Sequence, residues 1–74
     1  MLAVKLTPVK SSNLTAVGYN AEEEALVVLF HSGQTYRYSP VSLDTYNELL
    51  TAESVGQYLN QNIKFNPKVI CKQM

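Results

Sequence analysis

The sequence predicts an α+β domain, a small antiparallel sheet of three or four strands packed on a C-terminal pair of short helices. Three observations carry this reading. The stretch from Ala25 to Tyr38 (ALVVLFHSGQTYRY) has an apolar, β-branched run, a His-Ser-Gly turn and an aromatic return, the pattern of a β-hairpin. Upstream, short apolar segments are separated by turn clusters. Downstream, apolar residues recur at helical spacing. The 74 residues read as a single domain, and one this small buries only roughly 60% of the surface its unfolded chain exposes.

From Ala3 to Val9, Val4 and Leu6 alternate with Lys5 and Thr7. This predicts a half-buried strand that Pro8 ends or confines to an edge. Lys10 to Asn13 is a turn cluster. Leu14 to Tyr19 reads as a second strand with Leu14, Ala16 and Gly18 on one side, followed by a solvated loop from Asn20 to Glu24. For the hairpin, a two-residue Ser32-Gly33 loop would set Phe30 opposite Thr35. A three-residue loop with Gly33 left-handed would pair Phe30 with Gln34, Val28 with Tyr36 and Leu26 with Tyr38. The second register is preferred because it gathers Leu26, Val28, Phe30, Tyr36 and Tyr38 on one face, leaving Arg37 with Val27, Leu29 and Thr35 on the other.

Ser39-Pro40 then breaks the strand. Ser42 is placed as the N-cap of a helix running to about Ala52, with Asp44 in its first turn and Val41, Tyr46, Leu49 and Leu50 at helical spacing. Ser54 caps a second helix in which Val55, Leu59 and Ile63 lie four apart, with Tyr58 beside them. Gly56 in its first turn lowers helix propensity by ~1 kcal/mol against alanine. Its bare backbone points either to close packing or to the approach of a ligand. Asn66-Pro67 ends the helical region, and Val69, Ile70 and Cys71 add a strand or a tail that docks on a partner.

Composition narrows the function. Six basic and six acidic residues cancel, which disfavours a duplex-DNA binder held by a long phosphate track. The acids all lie between Glu22 and Glu53, whereas Lys64, Lys68 and Lys72 stand in a C-terminal segment without an acidic residue. That modest positive end suits a ligand with a few phosphates or the acidic face of a neighbouring subunit. A single cysteine, Cys71, cannot form an intrachain disulfide, and one histidine does not make a metal cluster of the usual ligand types. No apolar run approaches the ~20 residues needed to span a bilayer, and the N-terminus does not read as a secretory signal. A cytoplasmic protein without a membrane partner is expected.

Enzymatic readings find little support. His31 beside a Ser-Gly turn lacks an orienting partner in the sequence pattern, Glu22, Glu23 and Glu24 are adjacent rather than on one face, and no phosphate-binding glycine loop occurs. His31 is therefore read as an exposed turn residue and Cys71 as an ordinary thiol. No cofactor is expected. Five tyrosines favour binding, through stacking on bases or filling an interface. Tyr36, Tyr38 and Tyr46 are assigned to the core and Tyr19 and Tyr58 to more open positions. Arg37 is a bidentate phosphate donor if its face is uncovered. Val27 and Leu29, apolar on the face away from Val28 and Phe30, predict a homo-oligomer, dimer or tetramer, because two short helices cover one side of a small sheet.

The run SSNL at Ser11 to Leu14, Gly18-Tyr19, the spaced residues Leu26, Val28, Phe30, Ser32, Gly33, Tyr36 and Tyr38, and then Tyr46, Leu49, Ser54, Gly56, Tyr58, Asn60 and Ile63 resemble the KTSC domain. The resemblance covers about Val9 to Phe65, leaving residues 66–74 as a tail. The family takes its name from a C-terminal extension of some lysyl-tRNA synthetases and is common as small stand-alone proteins of bacteria and phages. The chain departs from the family pattern at Leu59, where an aromatic is frequent, and after Ile63, where a more basic stretch is usual. The resemblance implies a small α+β fold without established catalytic chemistry. Some similar small phage proteins act as oligomeric sponges for the nucleotide signals of bacterial defence. The expected function is thus a non-catalytic binder of phage type that sequesters a small nucleotide such as a cyclic dinucleotide. The alternative is a protein-protein or RNA-associated accessory module of translation or phage assembly. Arg37, Tyr58, Asn60 and Lys64 are the candidate phosphate and base contacts, with Ser11, Ser12 and Asn13 as further donors.

Overall fold

The structure is a computed structural model and describes residues 5–74. Five strands, β1 (Thr7–Pro8), β2 (Leu14–Asn20), β3 (Ala25–Phe30), β4 (Thr35–Ser39) and β5 (Ile70–Gln73), form one sheet in the order β1-β2-β3-β4-β5. Every neighbouring pair is antiparallel. Two helices, α1 (Leu43–Thr51) and α2 (Val55–Tyr58), lie between β4 and β5, and α2 continues as π-helical turns over Leu59–Lys64. The expectation of a mainly antiparallel sheet with a helix pair is met. The count of three or four strands is corrected to five, and the helices are mid-chain because, of the two expectations for the tail, the added strand is the one observed. The N-terminal part of the expected first strand, residues 3 and 4, lies outside the described residues.

The hairpin adopts the three-residue register. Leu26 pairs with Tyr38 and Val28 with Tyr36, Phe30 N–H donates to Gln34 O at 2.9 Å, and Gly33 takes φ +92°, a conformation that L side chains resist. Leu26, Val28 and Tyr38 from the sheet, with Leu14 and Val17, meet Val41, Leu49, Val55, Leu59 and Ile63 in one core.

Strand β2 departs from simple alternation. A register shift between Leu14 and Ala16 inserts an extra residue, so Leu14 and Val17 both point into the core while Ala16 and Gly18, opposite Leu29 and Val27, take the other face. The expectation that Leu14, Ala16 and Gly18 share a side is therefore wrong, because a bulge is invisible to a period-two pattern. Both helix caps are as expected: Ser42 Oγ accepts from Thr45 N–H at 3.2 Å and Ser54 Oγ from Gln57 N–H at 3.3 Å.

Candidate functional site

The turn before β2 is tied to two other segments. Ser11 Oγ accepts from the N–H groups of Asn13 and Leu14, at 3.2 and 3.3 Å. His31, at the hairpin turn, donates its backbone N–H to Asn13 O at 2.9 Å. Its ring spans Ser11 O through Nε2 and Thr15 Oγ1 through Nδ1, each at 2.9 Å. A carbonyl only accepts, so Nε2 carries the proton, and in the neutral ring Nδ1 accepts from the Thr15 hydroxyl. His31 is the exposed turn residue the sequence predicts, and its ring also clamps two turns together. His31→Ala is expected to cost about 1–2 kcal/mol, the net worth of two such bonds; a urea midpoint indistinguishable from the parent chain would count against the clamp.

Gly56 meets the same turn from the helical layer. A Cβ built on Gly56 would sit 3.2 Å from Ser11 Oγ and 3.9 Å from Asn13 Nδ2. Of the two reasons for a bare backbone there, close packing is the one the geometry supplies. Ser11 and Asn13 thus join Gly56, with exposed Ser12 between them. Asn60, one turn on from Gly56, follows on the same flank of the helix.

The structure does not assemble the remaining candidates with this cluster. Tyr58 is two positions from Asn60, and residues two apart on a helix do not face each other. It lines a shallow cleft of about 260 Å³ with Ala52, Glu53, Ser54, Gln57 and Gln61. Burial first, and then the charge of Glu48, raise its phenol pKa. Lys64 is exposed in the last π-helical turn. A second cleft, about 470 Å³, runs between Thr7–Lys10 and Leu50, Ala52, Glu53 and Val55, and holds none of the candidates.

Arg37 lies on the opposite side of the sheet. Cross-strand partners share a face, so the pairs Val27 with Arg37 and Arg37 with Lys72 place Arg37 and Lys72 side by side, away from the helices. Arg37 donates from Nη1 to Ser39 Oγ at 3.4 Å and from Nη2 to Glu23, its ion-pair partner. Among the described residues, Lys72 has no carboxylate within ion-pair distance. Val27 is only 5% exposed within the single chain and Leu29 is half-buried.

Packing occupies most of the aromatic surface. Tyr19 and Tyr46 stack with centroids 5.1 Å apart, and Tyr19 Oη donates to Val41 O at 2.6 Å. Phe30 and Tyr36 meet edge to face at 5.4 Å. Tyr38 is buried, and burial first, then the neighbouring Cys71 across the β4–β5 pair, push its phenol pKa up. Base stacking is a weaker handle here than phosphate contact. The approach of Lys72 and Glu23 to Arg37 escaped the sequence reading because it depends on strand register across long separations; Lys72 was legible only as part of the acid-free C-terminal segment.

Among the described residues no group of three or more His, Cys, Asp or Glu side chains is placed to hold a metal ion, and no helix is long and apolar enough to cross a membrane. The molecule is a small α+β domain, an antiparallel meander with helices inserted before its last strand. Residues 10–66 match the family model of the KTSC domain, and the chain belongs to that family. It is 39% identical over 59 residues to a protein of Tsukamurella paurometabola, covering 80% of this chain and 88% of that one. It is also 39% identical over 61 residues to a protein of Stutzerimonas stutzeri, covering 82% and 86%. The crystal structure of a KTSC domain protein from Yersinia pestis superposes with TM-score 0.86 at 25% identity, over 97% of this chain and 99% of that one.

Proposed function

We propose that this domain is a non-catalytic cytoplasmic binding protein that sequesters a small phosphate-bearing ligand of the nucleotide class, such as a cyclic dinucleotide. The observation that carries the reading is the cross-strand pairing of Arg37 with Lys72. Like charges directly opposite on a sheet are destabilising, and Glu23 answers only the first of them. A phosphate would meet both cations together. Arg37 has donors to spare, since two of its guanidinium nitrogens engage Ser39 and Glu23 while the group carries five N–H donors. The Ser39 hydroxyl adds a further contact. Ser11, Asn13 and Gly56 hold the fold in this reading, and Ser12, Tyr58, Asn60 and Lys64 take no part in the anion site.

Calorimetry against cyclic and linear nucleotides and inorganic phosphate tests this, with mass spectrometry of the recovered ligand. Binding that weakens with salt, returns unchanged ligand and falls about 10–100-fold in Arg37→Ala is expected, from the ~1.5–3 kcal/mol of a hydrogen bond to a charged group. No heat across the panel, or equal affinity in Arg37→Ala, would contradict it. Capture of a host protein or RNA in place of any nucleotide would favour the accessory-module alternative.

A further inference from the structure

The two edges of the sheet differ. At one end, β1 is two residues long in the described chain and contains Pro8, a residue that withholds a ladder donor. At the other, β5 runs for four residues, ICKQ, without proline, and all four are exposed. Met74 N–H donates to Thr35 O at 2.8 Å. In an antiparallel ladder alternate residues turn their amides to opposite sides, so Ile70, Lys72 and Met74 bond toward β4 while Cys71 and Gln73 turn theirs outward. The large apolar residues most exposed among those described are Phe65 (74%), Met74 (68%) and Ile70 (63%). Ile70 and Met74 lie on or beside this strand, and Phe65 lies five positions before it. An open backbone edge fringed by exposed apolar side chains is a template for another strand.

We infer that β5 pairs with β5 of a second copy, antiparallel about a two-fold axis normal to the sheet, with Cys71 opposite Cys71. Symmetry restricts the alternatives. Paired residues must share a face, so the axis passes through a residue position. Centring on Lys72 would set two lysines directly opposite. Centring on Cys71 places Ile70 opposite Lys72, separates the two lysines diagonally, and lets Cys71 exchange bonds with Cys71 while Gln73 N–H donates to Val69 O on both sides of the axis, the Val69 N–H being held already by Asn66 O at 3.0 Å. The dimer is a continuous ten-stranded sheet. It also brings two Arg37–Lys72 pairs onto one face, matched to a ligand with two phosphates; that consequence rests on the proposed function, whereas the pairing does not.

Sedimentation of the reduced full chain without nucleotide, over micromolar to millimolar concentration, tests the pairing. A reversible monomer-dimer equilibrium is expected. Gln73→Pro removes an outward N–H without touching the β4–β5 ladder, and is expected to raise the dissociation constant about 10-fold or more, with an unchanged melting temperature at concentrations where both chains are monomeric. Directly opposed ladder residues lie ~5.5 Å apart at Cα, inside the ~4.4–6.8 Å range for a disulfide. Diamide should therefore cross-link the parent chain through Cys71 faster than it cross-links Gln73→Pro, the two thiols giving two protons and two electrons to the azo bond. A monomer throughout the range, or a dimer insensitive to Gln73→Pro, overturns the edge. A dimer whose Cys71 residues cross-link no faster than in Gln73→Pro overturns the register.

Discussion

Leu26→Ala is expected to remove about 2–5 kcal/mol of folding stability, the range for truncating a fully buried leucine. Leu26 is fully buried, on the central strand, with Tyr19 on one side and Tyr38 on the other. The Tyr19 ring is held by its stack on Tyr46 and its bond to Val41 O, and Tyr38 by its own burial, so neither closes readily into the space left. A domain of this length holds on the order of 4–11 kcal/mol in all, so the substitution takes a large share. Urea unfolding should show a much lower midpoint at an unchanged slope. A loss below about 1 kcal/mol would mean that the core is not centred on this strand.

Gly56→Val is expected to cost about 1–3 kcal/mol through overpacking. The side chain would enter at 3.2 Å from Ser11 Oγ, an atom that two backbone N–H groups hold in place. Ser11→Gly relieves the clash while losing those bonds, so each change destabilises alone. In the double variant the losses should fall short of their sum by at least about 0.5 kcal/mol, the signature of residues in contact. Additive losses would show that the turn and the helix do not press on each other.

These contacts mark where sequence reasoning succeeds and where it stops. The hairpin was readable because its turn chemistry is local: Gly33 supplies the positive φ, and alternation beyond it selects a single register. Both helix starts were readable from Ser42 and Ser54 for the same reason. The bulge at Leu14 to Ala16 was not, since an inserted residue looks like ordinary strand sequence until its partner is known. Strand β5 was half readable; Val69 to Cys71 has strand character, but its pairing with β4 depends on the helices returning the chain to that edge.

The candidate site divides along the same line. Gly56 and the Ser11 to Asn13 turn each carried a local signal, and their meeting explains both. Arg37 was correctly placed on the face with Val27 and Leu29. Its neighbours there come from Glu23, across the turn before β3, and from Lys72, beyond both helices. Period and spacing do not reach that far. Tyr58 and Asn60 were both expected as contacts near the start of the second helix, and helix geometry separates them.

The most direct test of the proposed phosphate site is a backbone amide chemical-shift titration of the full chain with a cyclic dinucleotide. The Arg37–Lys72 site predicts that the largest shifts fall at Arg37, Ser39 and Lys72, with Glu23 following as its carboxylate gives up part of Arg37. Shifts centred instead on Ser12, Asn60 and Lys64, with Arg37 and Lys72 unmoved, would contradict it.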